Sequence, residues 1–274
     1  VQVGPGVSDL APGQMVAIYG AQTCGECKAC REGRDNLCEN VGGIHGFHLD
    51  GFARERMVTK ARLCVPVPDN VTMTDAACAS ITFGTVQHML FDNAKLEEGE
   101  TVLIQAGGSG IGTAAIRMAK AIGATVITTV GSEEKAEKAR ALGADHVINY
   151  NTERFEGVVR KLTRKRGVDV VFEHTGVDTW QGSLFSLKRG GRLVTCGSTT
   201  GITAEINLMQ LFQQQYRIFG SFGCAIHNLS EGLAKMSEGI LPVIDTAITL
   251  DQIEDGLARL ESRKVFGKIV MTLG

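Results

Sequence analysis

"TVLIQAGGSGIGTAAIRMAKAIGATVITTVG" occupies residues 101–131. An apolar run bounded by glycines, a segment with helical spacing and a second apolar run follow one another with short connections, which predicts a βαβ unit. The Gly-rich turn lies directly between the first strand and its helix. Backbone N–H groups at a helix N-terminus hold a pyrophosphate only where no side chain blocks the approach, and this turn meets that condition. The window Gly107 to Gly112 reads G-G-S-G-I-G, so Ser109 takes the place of the middle glycine of G-x-G-x-x-G. Alone the imperfect match is weak. In its strand–turn–helix–strand context it predicts dinucleotide binding by Gly107, Gly108, Ser109, Gly110, Ile111 and Gly112, in preference to a purely structural turn.

The end of the second strand decides which dinucleotide fits. An acidic side chain there would hydrogen-bond the adenosine ribose of NAD(H), but "TTVGSEEK" offers Val130, Gly131 and Ser132 first. Ser132 with Lys135 one turn further on suits a 2′-phosphate, which favours NADP(H) over NAD(H). A bland reading is compatible with this one: Ser132 caps the next helix, and Glu133 and Glu134 complement its dipole.

Outward from this unit the alternation continues through "HVINY", "TERFEGVVRKLTRK", "VDVVFEHTG", "VDTWQGSLFSLKRG", "GRLVTCG" and "YRIFGSFG". Continuous apolar strands separated by helices predict an α/β fold with a doubly wound, Rossmann-type parallel sheet over residues 83–223. Residues 224–274 read as two helices, near 228–239 and 251–262, and a closing strand "GKIVMTL". Residues 1–82 are rich in Gly, Pro and short alternations such as "MVAIYG" and "FARERMV", which predicts a β-rich, loop-heavy domain. The opening "VQVGPGVSDLAPGQMVAIYG" reads as strand, turn and strand. A strand needs a partner, so the reading expects a segment ahead of Val1.

Composition adds exclusions. The 274 residues are long enough to bury a core without disulfides, and a net charge of −2 implies neither a nucleic-acid partner nor an acidic or basic one. The basic run "RKLTRKRG", Arg160 to Gly167, falls where a helix should end, and cations there are favoured by the helix dipole. No apolar stretch is long enough to cross a bilayer and no signal-peptide pattern opens the sequence, so a cytoplasmic protein is expected. Eight cysteines in a reducing compartment then suggest metal.

Cys24, Cys27, Cys30 and Cys38 form C-x2-C-x2-C-x7-C. Thiolates at this spacing converge on one ion, and four of them close a tetrahedral zinc site with no open position. An iron–sulfur run opens in the same way but continues with an earlier fourth cysteine followed by Pro, whereas Cys38 is followed by Glu39. Structural Zn2+ is the stronger reading.

The cysteine lobe, the strand–Gly-turn–helix, "ALGADHVINY" at 141–150 and the ending "VFGKIVM" together resemble the zinc-containing alcohol dehydrogenase superfamily, the medium-chain dehydrogenase/reductases. The resemblance covers essentially the whole sequence. It implies a GroES-like catalytic domain, made by the N-terminal part and the last segment, around a Rossmann domain, and one structural zinc remote from the chemistry. It also places Thr85 near the nicotinamide, Thr175 and Gly176 near the adenosine ribose, Tyr150 near the adenine end and Lys268 against the pyrophosphate. A homodimer or homotetramer is implied, paired through the last Rossmann strand near "YRIFGSFG".

The family's catalytic zinc, where present, takes a third ligand from the stretch matching "AACASITFGTVQHMLF". Alignment on the leading alanines, Thr85 and Leu90 puts Ile81 at that position, and isoleucine cannot bind zinc. Cys78 is three residues early and reads as a buried small hydrophobe. The same stretch resembles the zinc-free quinone and enoyl reductase branch, which usually lacks the cysteine lobe, so features of two branches are combined. The expectation is an NADP(H)-dependent oxidoreductase acting on a small-molecule alkene or carbonyl. A zinc alcohol dehydrogenase and a catalytically incompetent family member are the alternatives. His45, His48, His88 and His174 read as structural residues.

Overall fold

The computed structural model describes residues 2–273. Two compact units form, residues 1–87 with 223–274 and residues 88–222.

In the first unit, β1 (Val16–Ile18), α1 (Lys28–Arg31), β2 (Cys64–Pro66) and α2 (Met73–Ala76) are short, and a π-helical segment spans Ala79–Gly84. The second unit runs β3 (Thr101–Ile104), α3 (Gly110–Ala121), β4 (Thr125–Val130), α4 (Glu133–Ala141), β5 (His146–Asn149), α5 (Phe155–Leu162), β6 (Val168–Glu173), α6 (Val177–Ser186), β7 (Leu187–Thr195), α7 (Leu208–Gln214) and β8 (Arg217–Gly220). The chain then returns to the first unit with α8 (Ile226–Ser237), β9 (Ile244–Thr249), α9 (Ile253–Glu261) and β10 (Lys268–Thr272).

All six strands of the second unit pair in parallel in the order β5-β4-β3-β6-β7-β8, which is the doubly wound topology expected from the sequence. Parallel strands covered on both faces must be apolar throughout. Leu103, Ile127, Ile148, Val171 and Leu193 form one core with Phe155 and Val159 of α5 and Leu184 of α6. Val102, Val126, Val170 and Val194 alternate with them along the strands and are equally buried. Helices α5 and α6 approach closely because Gly182 has no side chain: a Cβ there would lie 2.5 Å from the Phe155 ring.

Several boundaries differ from the sequence reading. The α6 helix stops at Ser186, and β7 starts at Leu187, ahead of the expected "GRLVT". The pairing of β6 with β7 shifts register between Val168 and Val170, which absorbs the turn at Gly190. Helix α5 ends at Leu162, and Arg164 and Lys165 follow with φ of 51° and 66°. The basic run is therefore a helix end, as expected.

The larger difference lies at the N-terminus, where, among the described residues, only the second of the two strands read in residues 1–20 forms. β1 exists because β2 offers an antiparallel ladder from Val16↔Pro66 to Ile18↔Cys64. The described residues before β1 have no such partner and are irregular, and "FARERMV" forms no strand either. Among the described residues of this unit, the sheets are β1–β2 and the parallel pair β9–β10. Its packing is set by α8, which presses on Ala79–Gly84. A Cβ on Gly232 would meet Phe83 Cβ at 2.9 Å, and one on Gly84 would meet Cys224 Sγ at 2.7 Å. Tyr19, 4 % exposed, donates its hydroxyl to the Cys224 carbonyl at 2.5 Å, and burial raises its pKa.

One carboxylate ties both α3 and β4 to the turn before β5. Asp145 Oδ2 accepts from Lys120 Nζ at 2.9 Å and from Val126 N–H at 2.7 Å. Burial alone would raise this carboxyl, but the ammonium and the amide overcome it and hold it below the usual aspartate range. A depressed carboxyl stabilises the fold above its unfolded pKa, and that contribution is lost as pH falls through the folded value. Asp145→Asn is expected to cost about 1 kcal/mol in urea unfolding at neutral pH, with the gap to wild type closing as pH falls below the ordinary aspartate range.

Candidate functional site

The turn after β3 packs tightly against β4. A Cβ on Gly107 would lie 2.1 Å from Thr128 Oγ1, and one on Gly112 would lie 2.4 Å from the Ala106 carbonyl oxygen. Both glycines are required by close approach. Ser109, in the middle-glycine position, is the N-cap of α3, and its hydroxyl accepts the Gly112 N–H at 2.9 Å. The N–H groups of Gly110 and Ile111 belong to the first turn, ahead of the helix's own ladder, and lie at the positive end of a twelve-residue helix. Serine here does not fill the anion cradle, because its oxygen turns back onto the helix.

At the end of β4, Gly131 is overlain by Tyr150: a Cβ would meet the phenol oxygen at 2.4 Å. Asn151 Nδ2 donates to the Gly131 carbonyl at 2.7 Å and fastens the same corner. No side chain, acidic or otherwise, fits at position 131 without moving Tyr150, which is half-exposed. Ser132 caps α4 through Lys135 N–H at 3.2 Å, so the capping reading of Ser132 holds. Glu133 and Glu134 are paired with Arg140 and Lys138.

At the end of β6 the structure adds a residue that the sequence reading passed over. Glu173 is fully buried, and its Oε1 accepts N–H from Thr175 at 2.7 Å and Gly176 at 3.2 Å, and the Thr179 hydroxyl at 2.9 Å. Gly176 needs its freedom, with φ at +109°. An internal carboxylate thus occupies the N-terminus of α6, while that of α3 is left to its first-turn amides. An acid closing an apolar strand in "VVFEHTG" was the available signal. Gly107–Gly112, Ser132, Lys135, Tyr150, Thr175 and Gly176 accordingly all fall at the carboxyl ends of β3, β4, β5 and β6, the edge at which open α/β sheets bind ligands.

Thr85 and Lys268 belong to the first unit. Thr85 is buried at the end of the π-helical segment. Lys268 opens β10, and burial holds its ammonium below the usual lysine value. Cys78 is 5 % exposed and its thiol is pushed up to about 11 by burial, so it is the buried small hydrophobe the sequence suggested. Ile81 is 63 % exposed on the same segment and offers no donor atom.

The four cysteines do converge. Their Sγ atoms all lie within 4.8 Å of one another, with Cys24 at 3.9 Å from Cys30 and 3.6 Å from Cys38. A tetrahedral zinc with bonds of about 2.3 Å sets its sulfurs about 3.8 Å apart, so the donor set fits that ion. Backbone amides are already aimed at the sulfurs. Glu26 and Cys27 N–H donate to Cys24 Sγ at 3.5 and 3.3 Å, and these bonds pull its thiol down to about 6. Burial pushes Cys30 up to about 12, a cost that a bound cation offsets.

The remaining candidates are structural. His45 Nδ1 donates to the Asp50 carbonyl at 2.7 Å and its Nε2 accepts from Gln22 at 3.0 Å. His48 Nδ1 accepts from Ile44 N–H at 3.3 Å. His88 meets Asp92, and His174 Nε2 donates to the Gln105 carbonyl at 2.9 Å.

Two family models match this chain: an alcohol dehydrogenase GroES-like domain over residues 1–69 and a zinc-binding dehydrogenase domain over residues 110–238. An acryloyl-coenzyme A reductase of Metallosphaera sedula is 31% identical over 274 residues, covering 99% of this chain and 80% of that protein. The chain belongs to the medium-chain dehydrogenase/reductase superfamily. A 2-haloacrylate reductase of Burkholderia sp. is 34% identical across 76% of this chain but only 55% of that relative. The chain thus spans little more than half of that relative's length. Among solved structures, an NAD-dependent alcohol dehydrogenase superposes with a TM-score of 0.93 at 37% identity, covering 99% of this chain and 79% of that one. Members of this superfamily named as reductases and as alcohol dehydrogenases are therefore both similar to it.

The close approach at the glycine turn has a direct consequence. Gly107→Ala is expected to lower stability by about 2–3 kcal/mol, since the new methyl must displace the fully buried Thr128. Gly99→Ala, where open space surrounds the added carbon but φ is +78°, should cost only the backbone term of about 1 kcal/mol. Urea unfolding of both variants checks the difference.

Proposed function

We propose that this protein is an NADP(H)-dependent reductase that adds hydride to an activated alkene, with a structural zinc in the cysteine lobe and no catalytic zinc. The observation that carries the reading is the strand–turn–helix at Gly107–Gly112, whose missing side chains leave the α3 amides open to a pyrophosphate. NADPH over NADH is supported by the corner at Gly131. The corner carries glycine in place of the acid that would grip a free ribose hydroxyl pair, and Ser132 and Lys135 follow immediately.

Bound NADPH supplies the hydride that adds to the β-carbon of an alkene conjugated to a carbonyl. The chain's own residues bind and orient. The α3 N-terminus offers amides and a positive dipole end to phosphate. Lys135 supplies a point charge for a 2′-phosphate, and Thr175–Gly176, fixed by Glu173, shape the ribose edge. Ile81 is why no zinc-assisted alcohol oxidation is proposed, since a zinc at that position would lack its third ligand. The two curated relatives described above, one reducing acryloyl-coenzyme A and the other a haloacrylate by name, favour an α,β-unsaturated acid derivative as substrate.

The cysteine geometry supports one zinc held by Cys24, Cys27, Cys30 and Cys38. Self-association as a homodimer or homotetramer is part of the same proposal. β8 is the edge of the sheet, and Leu208, Met209 and Phe212 of the neighbouring α7 are more than half exposed.

Three measurements bear on these points. Zinc assay of the purified protein should return one ion per chain, and Cys24→Ser should lower both zinc content and melting temperature; two zinc ions per chain would reverse the choice in favour of an alcohol dehydrogenase. Fluorescence titration should give tighter binding of NADPH than of NADH. Lys135→Ala should weaken NADPH binding about tenfold and leave NADH unchanged. Loss of NADPH absorbance in the presence of an acrylate thioester or an enone tests the reaction. Turnover of a primary alcohol with NAD in its place would sink it.

A further inference from the structure

Four side chains, three at the carboxyl ends of β3, β4 and β6 and one on α6, form a buried polar chain beneath the carboxyl edge of the sheet. Gln105, Glu173 and Ser183 are 0% exposed and Thr129 is 1% exposed. The Ala106 N–H donates to Thr129 Oγ1 at 3.0 Å, and the Thr129 hydroxyl donates to Gln105 Oε1 at 2.8 Å. Gln105 Nε2 then donates to Ser183 Oγ at 3.0 Å, and the Ser183 hydroxyl donates to Glu173 Oε2 at 2.6 Å. Each hydroxyl has a single proton, so once the chain ends on an acceptor-only carboxylate every donor direction is fixed.

The two ends of this chain are the two turns of the cradle. At one end Ala106 holds φ of 48°, a conformation unfavourable for a residue with a Cβ, and its N–H is taken by Thr129. At the other end Glu173 Oε1 takes the N–H groups of Thr175 and Gly176. A second tie runs alongside: the Gln105 carbonyl, at the start of the first turn, accepts from His174, which adjoins the second. Apolar side chains of the same volume would fill this space at lower desolvation cost, so the network is not needed for burial alone.

We propose that Thr129, Gln105 and Ser183 are positioning residues that act through this directed hydrogen-bond chain. They hold the glycine turn and the Thr175–Gly176 turn in one relative geometry, so that the dinucleotide meets both already in place. This rests on the dinucleotide reading above and adds to it residues that touch no cofactor. Ordering both turns before binding removes that cost from the binding step, so the readout is cofactor affinity.

The test is a double-mutant cycle on NADPH affinity, measured by fluorescence titration alongside thermal melting. Thr129→Val and Ser183→Ala each interrupt the same chain, and each is expected to raise the NADPH Kd about tenfold. The double variant should be no weaker than the weaker single one, because a chain already broken loses nothing more at its second link. Thr129→Ser restores the hydroxyl and should recover the affinity; should a Thr129→Val or Ser183→Ala chain fail to fold, Thr129→Ser against Gln105→Met supplies the comparison. Val159→Ala, which opens the core under α5, is the control: it should melt lower and bind NADPH as wild type does. Chain variants that melt lower yet bind like wild type would overturn the positioning role and leave the dinucleotide reading standing. Effects that add in the double variant would overturn it as well. If wild type binds neither NADPH nor NADH, the dinucleotide reading fails and this inference with it.

Discussion

The turn that follows β3 can lie on β4 only because Gly107 has no side chain, and the carboxyl edge of the sheet is built on that contact. With Thr128 Oγ1 occupying the space a Cβ would need, β3 keeps parallel register with β4 up to its own last residue, Ile104, opposite Thr128, and α3 starts immediately beyond the turn. Gly112 repeats the constraint one turn later, bringing the helix backbone onto the Ala106 carbonyl. Of the first-turn amides of α3, that of Gly112 is taken by Ser109 Oγ, while those of Gly110 and Ile111 precede the helix's own ladder at its positive end.

Two neighbouring corners are treated differently by the same physics. At α6 the first-turn amides are satisfied from inside by Glu173, and at α4 Ser132 provides the cap. A parallel sheet directs several helix N-termini toward one edge, and each is a potential anion site. Ser109 gives α3 the same cap that Ser132 gives α4, so what sets α6 apart from both is the buried carboxylate of Glu173 at its first turn. The charge of Glu173 is tolerable in the interior because its oxygens meet four donors, from Thr175, Gly176, Thr179 and Ser183.

The cysteine lobe follows another rule. A short α-helix and a 3-10 turn give residues 23–40 little core of their own: Ala29 is the buried residue of α1, and Asp35 is tied to the Ile226 amide. Four sulfurs at zinc-like separations, with amides aimed at them, form a donor set through which a bound ion would cross-link what packing does not. Four thiolates on one tetrahedral ion would leave no coordination position open for a substrate.

Periodicity and spacing alone determined the six-stranded parallel sheet, the glycine turn and the four-cysteine cluster, because each depends on residues near in sequence and on local stereochemistry. "TVLIQAG", "VDVVFEHTG" and "C-x2-C-x2-C-x7-C" are legible for that reason. Strand formation in residues 1–20 was not, since β1 requires β2 some fifty residues on, and the stretch before it reads equally well as strand. The start of β7 at Leu187 was hidden by a register shift that only pairing with β6 imposes. The connection of Gln105, Thr129, Glu173 and Ser183 was likewise decided by the tertiary structure: they are Gln, Thr, Glu and Ser on four separate elements, each ordinary in its own segment. They become one chain of hydrogen bonds because the crossover order of the sheet sets β3 between β4 and β6, with α6 against β6, and a buried donor must then find its acceptor across strands.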